Sequence, residues 1–307
     1  MDFVKIAATF LASTVMELSC FVVLPTSLSL GAFSVKNAHA QSAGVSRMPL
    51  TSEMNDYTNA VAQAEPAAKE AAINAFLTRY PYSHAQEDML EQLMAVYVRE
   101  PDMKKVTETA NRILAVDPRN LRALFYVTYA TKERALGANP AEAQRLLDSA
   151  AQAARIALDA PSRPDYMSEV DFDKLRAVTS PTFYSAIGID DAARRDYFGA
   201  IENFGMELKA PINIKATESG FELDDTYHLA QAYEGQTPAD LKNAAWFYTR
   251  AAQYSSPETK AQWEAKAEAT YLDYHGSMDG YPEVQVLARE NVFPPPEYNP
   301  SRTVASR

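Results

Sequence analysis

Apolar side chains recur along much of the chain at intervals of three and four residues, which is the spacing of one face of an α-helix. Three series show it most clearly, with polar or charged residues filling the positions between. Each series predicts an amphipathic helix whose apolar face packs into a core. The three run from Met103 to Leu114, from Tyr197 to Leu208 and from Leu241 to Ala252.

Helix starts are predicted where a Ser, Thr or Asn stands directly before a proline. Such a side chain accepts a hydrogen bond from the first turn, and a proline there costs the helix no hydrogen bond. At three of the four places an acid follows in the first turn, where it favours the positive end of the helix dipole. The four pairs are Asn139-Pro140, Ser180-Pro181, Thr237-Pro238 and Ser256-Pro257.

Helix ends are predicted just before another set of prolines, because proline cannot continue the hydrogen-bond ladder. Successive members of this set lie 37 to 50 residues apart, a length that holds two helices and two turns. The repeating unit is therefore a helical hairpin, with insertions between copies. The set comprises Pro81, Pro118, Pro161, Pro211 and Pro257.

These hairpins resemble the tetratricopeptide repeat (TPR) family. The best copy runs from Thr182 to Pro211 and contains DYFGAIENFGMELKAP, a second begins at Asp88 and closes with ANRILAVDPRN, and a third joins YHLAQAY to NAAWFYTRA. Weaker copies are FLTRYPYS and the segment from Leu121 to Pro161. The resemblance covers roughly residues 52–275. It implies an all-α fold, namely an α–α superhelix (solenoid) of TPR-like helical hairpins. It also implies binding of other proteins or peptides, and it does not imply a reaction.

The segment YHGSMDGYPEV resembles a closing element of some secreted TPR proteins of Gram-negative bacteria, and a Pro-rich tail follows it. The predicted organisation is a signal peptide over 1–40, a flexible mature N-terminus over 41–51, a repeat domain over 52–276 and a C-terminal extension with a Pro-rich tail over 277–307. The prolines predict irregular structure at 161–164 and after Phe293.

The N-terminus has the pattern of an export signal. Lys5 precedes a mostly apolar run, which ends in Ala38-His39-Ala40. A small-x-small triplet of this kind is accepted by signal peptidase, so we expect cleavage after Ala40 and a periplasmic or secreted product. The alternative is an uncleaved membrane anchor, in which Glu17 would be costly to bury. Membrane contact is expected only through this segment if it is uncleaved.

Composition narrows the function classes. The net charge of −11 disfavours nucleic acid and anionic membrane surfaces as partners, since both attract Lys and Arg. Cys20 is the one cysteine and lies in the predicted signal. The mature chain would therefore lack disulfides, thiolate metal sites and a Cys nucleophile.

Catalytic chemistry has little support in the sequence. It has no Gly-x-Ser-x-Gly elbow, phosphate loop or dinucleotide fingerprint, and the mature histidines His84, His228 and His275 form no metal-binding pair. We predict no catalytic residue, metal or cofactor, and we interpret His275 as a turn residue capping a helix. Two acidic clusters are interpreted as solvated helix starts: Glu222, Asp224 and Asp225, and Asp165, Glu169, Asp171 and Asp173.

One segment, LRALFYVTYATKER, is apolar on all sides. In the TPR family, the positions of Phe125 and Tyr129 face the inner groove, and Arg122 and Lys132 fall on the same face. These four residues are the candidate partner-binding site, with an aromatic floor and basic edges. The equal alternative is a central helix buried by its neighbours.

The favoured hypothesis is a non-enzymatic protein–protein interaction scaffold or adaptor of the bacterial cell envelope, which binds a peptide or protein partner on the concave face of the superhelix. Two alternatives stay open. One is a carbohydrate-active hydrolase on a helical toroid, which needs two carboxylates about 5–10 Å apart facing one pocket. The other is a structural envelope component that assembles with itself.

We expect the chain to lose residues 1–40 when it is exported in a Gram-negative host, because the triplet after the apolar run fits signal peptidase. N-terminal sequencing of the periplasmic species should begin at Gln41. Recovery of full-length protein alone, in the membrane fraction, would instead support the anchor.

Overall fold

The computed structural model describes residues 50–210 and 223–298. Within these ranges 78% of residues are helical, in twelve helices with no strand, which confirms the all-α prediction. No helix in the described ranges is long and apolar enough to cross a bilayer. The predicted signal peptide over 1–40, most of the N-terminal segment 41–51, Pro211, Glu222 and the last nine residues lie outside the described ranges.

The chain divides into two compact units after Val116. The described part of the first unit has four helices, and each packs on the next. Its core is built from apolar faces at helical spacing, with Ile73, Phe76, Met89 and Val106 almost fully buried. The helices are α1 (Leu50–Ala62), α2 (Pro66–Arg79), α3 (Gln86–Arg99) and α4 (Met103–Val116).

The second unit has eight helices among its described residues. They are α5 (Leu121–Leu136), α6 (Pro140–Asp159), α7 (Glu169–Ala193), α8 (Tyr197–Lys209), α9 (Leu223–Gly235), α10 (Leu241–Tyr254), α11 (Pro257–His275) and α12 (Tyr281–Glu290). Consecutive helices from α5 to α11 pack on one another, and α5 contacts α7 as α7 contacts α9. Alternate helices therefore form a layer, as in an α-solenoid.

Two of the four predicted helix starts are confirmed. The Asn139 side chain accepts a hydrogen bond from the backbone N–H of Glu142 at 3.1 Å, and α6 begins at Pro140. Helix α11 begins at Pro257 after Ser256, although the Ser256 side chain does not cap it. The predicted helix ends before Pro81, Pro118 and Pro161 are also confirmed, since α2, α4 and α6 end at Arg79, Val116 and Asp159.

The other two starts are wrong. Helix α7 begins three turns before Pro181, where Ser168 Oγ accepts a hydrogen bond from the Asp171 N–H. Pro181 cannot bond the carbonyl of Ala177, but the Ser180 hydroxyl donates to that oxygen at 3.4 Å, so the helix continues. Helix α10 begins after Pro238, because Asp240 caps it through the Asn243 N–H at 3.0 Å.

Helix α7 lies unusually close to α8. A Cβ at Gly188 would stand 2.8 Å from the Phe204 ring, so this approach requires glycine. Phe204 is fully buried there, in the middle of the predicted stripe from Tyr197 to Leu208. The sequence interpretation of this stripe as a packing face is confirmed.

The predicted C-terminal extension is part of the second core. After α12, the chain passes back along α10, and Trp246 Nε1 donates to the Val292 carbonyl at 3.2 Å. Arg250, which is buried, donates to the carbonyls of Ala288 and Asn291 at 2.7 and 2.9 Å. Tyr298 packs on Trp246 and is buried as well. Residues 291–298 are irregular, as their prolines predict.

Helix α7 ends in a Schellman motif with an arginine where glycine is usual. Arg195 has φ 62°, its N–H donates to the Ala192 carbonyl at 3.0 Å, and the Asp196 N–H donates to the Asp191 carbonyl at 2.8 Å. The left-handed conformation costs a residue with a Cβ about 1–2 kcal/mol. This turn is therefore strained.

We expect Arg195→Gly to stabilise the second unit by about 1 kcal/mol, because glycine adopts the left-handed region without that cost. Urea unfolding followed by circular dichroism measures the effect. Arg195→Ala keeps the Cβ and serves as the matched variant. Equal free energies of unfolding for the Gly and Ala variants would show that the turn stores no such strain.

Candidate functional site

The predicted partner-binding residues on α5 divide into a buried pair and a half-buried pair. Phe125 is 3% exposed and packs edge-on against Tyr126 and Phe183. Arg122 is also buried and donates to the Tyr166 hydroxyl at 3.1 Å. The expectation that these two line an open groove is wrong, because α6 and α7 cover this side of α5. Tyr129 and Lys132 are half-buried.

Lys132 lies in a polar network that connects three alternate helices. Its Nζ donates to Ser185 Oγ on α7 at 2.9 Å, and the Ser185 hydroxyl donates to Asp225 Oδ2 on α9 at 2.6 Å. His228 Nδ1 lies 3.5 Å from the other carboxylate oxygen. We call these four residues the Lys132–Asp225 network.

Asp225 is the centre of this network and is buried. Burial alone would raise its pKa, but the charge of Lys132 and the hydrogen bonds from His228 and Ser185 outweigh that effect and hold the pKa of Asp225 well below its usual range. The interpretation of this acid as part of a solvated helix start is therefore wrong. Asp224, beside it, is exposed in the first turn of α9 and fits that interpretation.

The network is poorly arranged for nucleophilic catalysis. Ser185 is 1% exposed, and its proton is directed to a carboxylate with a depressed pKa, which is a weak base. Lys132 and His228 are the members that reach solvent, and the His228 side chain is 38% exposed. The arrangement therefore fixes helices and leaves the Lys132 ammonium and one ring nitrogen of His228 at the surface.

Aromatic side chains continue this surface toward α11. Tyr227 stacks on Trp263 with ring centroids 4.6 Å apart, and both are half-buried. Tyr227 also meets the buried ring of Tyr248 edge-on at 4.9 Å. His228 stacks on the buried ring of Phe204, with ring centroids 6.1 Å apart. Helices α5, α7, α9 and α11 are thus connected in order by polar and then aromatic contacts.

A second polar network joins α6 and the end of α7. Asp190 accepts from Gln144 at 3.2 Å and from Arg194 Nε at 3.1 Å, and its other oxygen lies 3.6 Å from Arg155. Burial raises the pKa of Asp190, whereas the hydrogen bond from Gln144 helps to lower that of Asp148. Arginines surround these carboxylates, so they serve to hold the helices together.

Among the cavities that the described residues of the second unit line, two have volumes of about 310 and 590 Å³. One carboxylate lines each: Asp173 in the smaller and Asp196 in the larger. Neither cavity therefore holds the pair of facing acids that a glycosidase requires. No cluster of His, Cys, Asp or Glu in the described ranges could hold a metal ion.

Two sequence interpretations hold at the remaining candidates. His275 is buried at the end of α11, with Nδ1 3.0 Å from the Ser277 carbonyl, and acts as a turn residue. Glu169 and Asp171 lie in the first turn of α7, and the hydrogen bond with Ser168 lowers the pKa of Asp171. His84 is exposed.

The Lys132–Asp225 network escaped the sequence analysis because its members are far apart in the chain. Lys132 and Ser185 are separated by 53 positions, and Ser185 and Asp225 by 40. One local signal was present: Asp225 and His228 are three residues apart, which places them on one face of a helix.

Comparison with protein-family models, with curated proteins and with solved structures finds no match to this chain. Function must therefore be argued from the described residues.

We expect Asp225→Asn to destabilise the second unit by about 2 kcal/mol, since hydrogen bonds to a charged group are lost in a buried setting. The folded-state pKa is depressed, so this carboxylate stabilises the fold above the unfolded pKa of about 4, and the contribution fades as pH falls below that value. The difference between wild type and variant should therefore shrink between about pH 5 and pH 3.

Chemical denaturation at several pH values measures this difference. Asp173→Asn is the matched control, because that acid is exposed. A difference that does not change with pH would contradict the assigned ionisation of Asp225.

Proposed function

We propose that the protein is a non-enzymatic interaction scaffold of the bacterial cell envelope, and that it binds a peptide or protein partner on the layer formed by α5, α7, α9 and α11. The observation that carries this proposal is the run of half-buried aromatic and basic side chains across that layer. We call it the interaction face and define it by Tyr129, Lys132, Tyr227, His228 and Trp263.

The chemistry of the interaction face favours a protein ligand. Tyr and Trp offer large rigid contact areas at low entropic cost, and they contribute much of the binding energy where a partner desolvates them. Lys132 has N–H groups beyond the one given to Ser185, and His228 presents a second ring nitrogen. The Lys132 ammonium suits backbone carbonyls or acidic side chains of an extended peptide, and the second ring nitrogen of His228 suits a backbone N–H.

The interaction face replaces the partner-binding site that the sequence predicted on α5. Phe125 and Arg122 are core residues, so the face moves from α5 alone to four helices, while Tyr129 and Lys132 stay in it. The envelope location and the relation to the TPR family rest on the N-terminal signal and the repeat motifs of the sequence.

Two alternatives have less support. A hydrolase would need paired acids in an open pocket. Among the described residues, Asp148 and Asp190 have pKa values that shift in opposite directions, but both are bound by Arg194. A self-assembling structural component would show concentration-dependent size on a gel-filtration column.

We expect the mature protein to capture an envelope partner, and Trp263→Ala together with Tyr129→Ala to reduce capture at least about tenfold, which corresponds to about 1.4 kcal/mol. The measurement is a pull-down from Gram-negative envelope extract, quantified by mass spectrometry. Both residues are half-buried, so the double variant should remain folded.

The control is Tyr82→Ala, which removes an aromatic ring that is 96% exposed in the first unit. It should capture the same partner as the wild type. Loss of capture by the control alone, or equal capture by all three proteins, would contradict the assignment of this face.

A further inference from the structure

The larger cavity of the second unit lies between two neighbouring turns. Its volume is about 590 Å³, and it is open to solvent. The turn before α8 supplies one side and the turn before α10 supplies the other, so no residue of the interaction face lines it. The lining residues are Arg195, Asp196, Tyr197, Phe198, Gly235, Gln236, Thr237 and Pro238.

The floor of the cavity is fixed by a close contact. A Cβ at Gly235 would lie 2.6 Å from the Tyr197 ring, so the ring lies directly against the backbone at this position. The Tyr197 side chain is half-buried. The floor is therefore apolar and preformed, which is the usual character of a binding pocket.

One wall carries an aromatic side chain that the fold does not use. Phe198 is 76% exposed, whereas Ala200, Phe204 and Leu208 on the apolar face of α8 are buried. Pro238 lines the opposite turn. A phenylalanine in water gains no packing energy, and an apolar ligand group placed between it and Pro238 would bury both.

The cavity carries a cationic side chain, that of Arg195. Among the described residues none forms an ion pair or hydrogen bond with the Arg195 side chain, which is exposed. The adjacent Arg194 is engaged with Asp148 and Asp190. Asp196, the carboxylate of this cavity, caps α8 by accepting from the Gly199 N–H at 3.1 Å.

From these observations we infer that the cavity is a second binding site, and that it takes a peptide segment in which a carboxylate stands beside an aromatic side chain. The carboxylate pairs with the Arg195 guanidinium in fork geometry. The aromatic ring enters between Phe198 and Pro238, above Tyr197. Charge complementarity selects this ligand, because the exposed Arg195 guanidinium has no ion pair or hydrogen bond with another described residue.

The backbone at Arg195 strengthens the inference. A side chain is held at φ 62° in a turn where glycine would be less strained. A glycine at position 195 would lack the guanidinium group. The proposed site accounts for a residue that the turn itself disfavours.

The probe is N-acetylphenylalanine, which carries a carboxylate next to a benzyl group. Two matched probes each lack one feature: N-acetylphenylalaninamide has no charge, and acetate has no ring. Binding to the isotope-labelled mature protein is followed by chemical-shift changes of the backbone amides at 195–198 and 235–238. For a ligand of this size we expect a Kd of about 1 mM.

Saturable shifts with N-acetylphenylalanine, and binding at least about tenfold weaker for the other two probes, support the site. Equal binding of acetate would reduce it to a general anion site. If N-acetylphenylalaninamide binds as tightly as N-acetylphenylalanine, Arg195 does not bind the carboxylate and the proposal is wrong. The absence of saturable shifts with any probe would overturn the proposal, whatever the pull-down on the interaction face gives.

Two variants separate binding from folding. Arg195→Gly removes the cation while relieving the turn, so weaker binding by a more stable protein cannot result from unfolding. Phe198→Ala removes an exposed ring. Each should weaken binding of N-acetylphenylalanine at least about fivefold, or about 1 kcal/mol. Arg134→Gln, at an exposed arginine of α5, is the control. Unchanged binding in the Arg195 and Phe198 variants would refute the site.

Discussion

An ionised carboxylate in the interior constrains the arrangement of the second unit more than any other single group. Asp225 is buried where α5, α7 and α9 meet, and an isolated charge in such a place is costly unless it is paired and hydrogen-bonded. Lys132 and Ser185 supply the pairing from two other helices. Apolar faces can slide past one another by a turn and still bury similar area. The hydrogen bond of 2.6 Å between Ser185 and Asp225 would be broken by such a shift, so this network fixes the register of the three helices.

The same network orders the surface used for the proposed function. Lys132 Nζ is held by Ser185 Oγ, and His228 Nδ1 lies 3.5 Å from Asp225, while both side chains remain partly exposed. A lysine held in this way has already lost part of its rotamer entropy before a partner binds. The stacked pair of Tyr227 and Trp263 is constrained similarly by Tyr248 behind it. The interaction face is therefore preorganised by groups that also hold the helices together.

The fold class was predictable from the sequence, because helical periodicity and capping are local. Asn139 and Pro140 start a helix by themselves, whereas Pro181 fails to start one, since Ser168 had already done so three turns earlier. The site was less predictable. In α5 every side is apolar, so the pattern could not tell that Phe125 is covered while Tyr129, one turn later, remains half-buried. The partners of Asp225 come from distant segments, and only tertiary packing brings them together.

The position of residues 281–298 has a consequence for the order of events during synthesis. Tyr281, Val284, Ala288 and Tyr298 belong to one core with Phe204, Leu229 and Trp246. Residues 281–298 leave the ribosome after the helices that they cover. Until then the aromatic side of α10 is uncovered, so the core of the second unit cannot be completed before residues 281–298 have been synthesised.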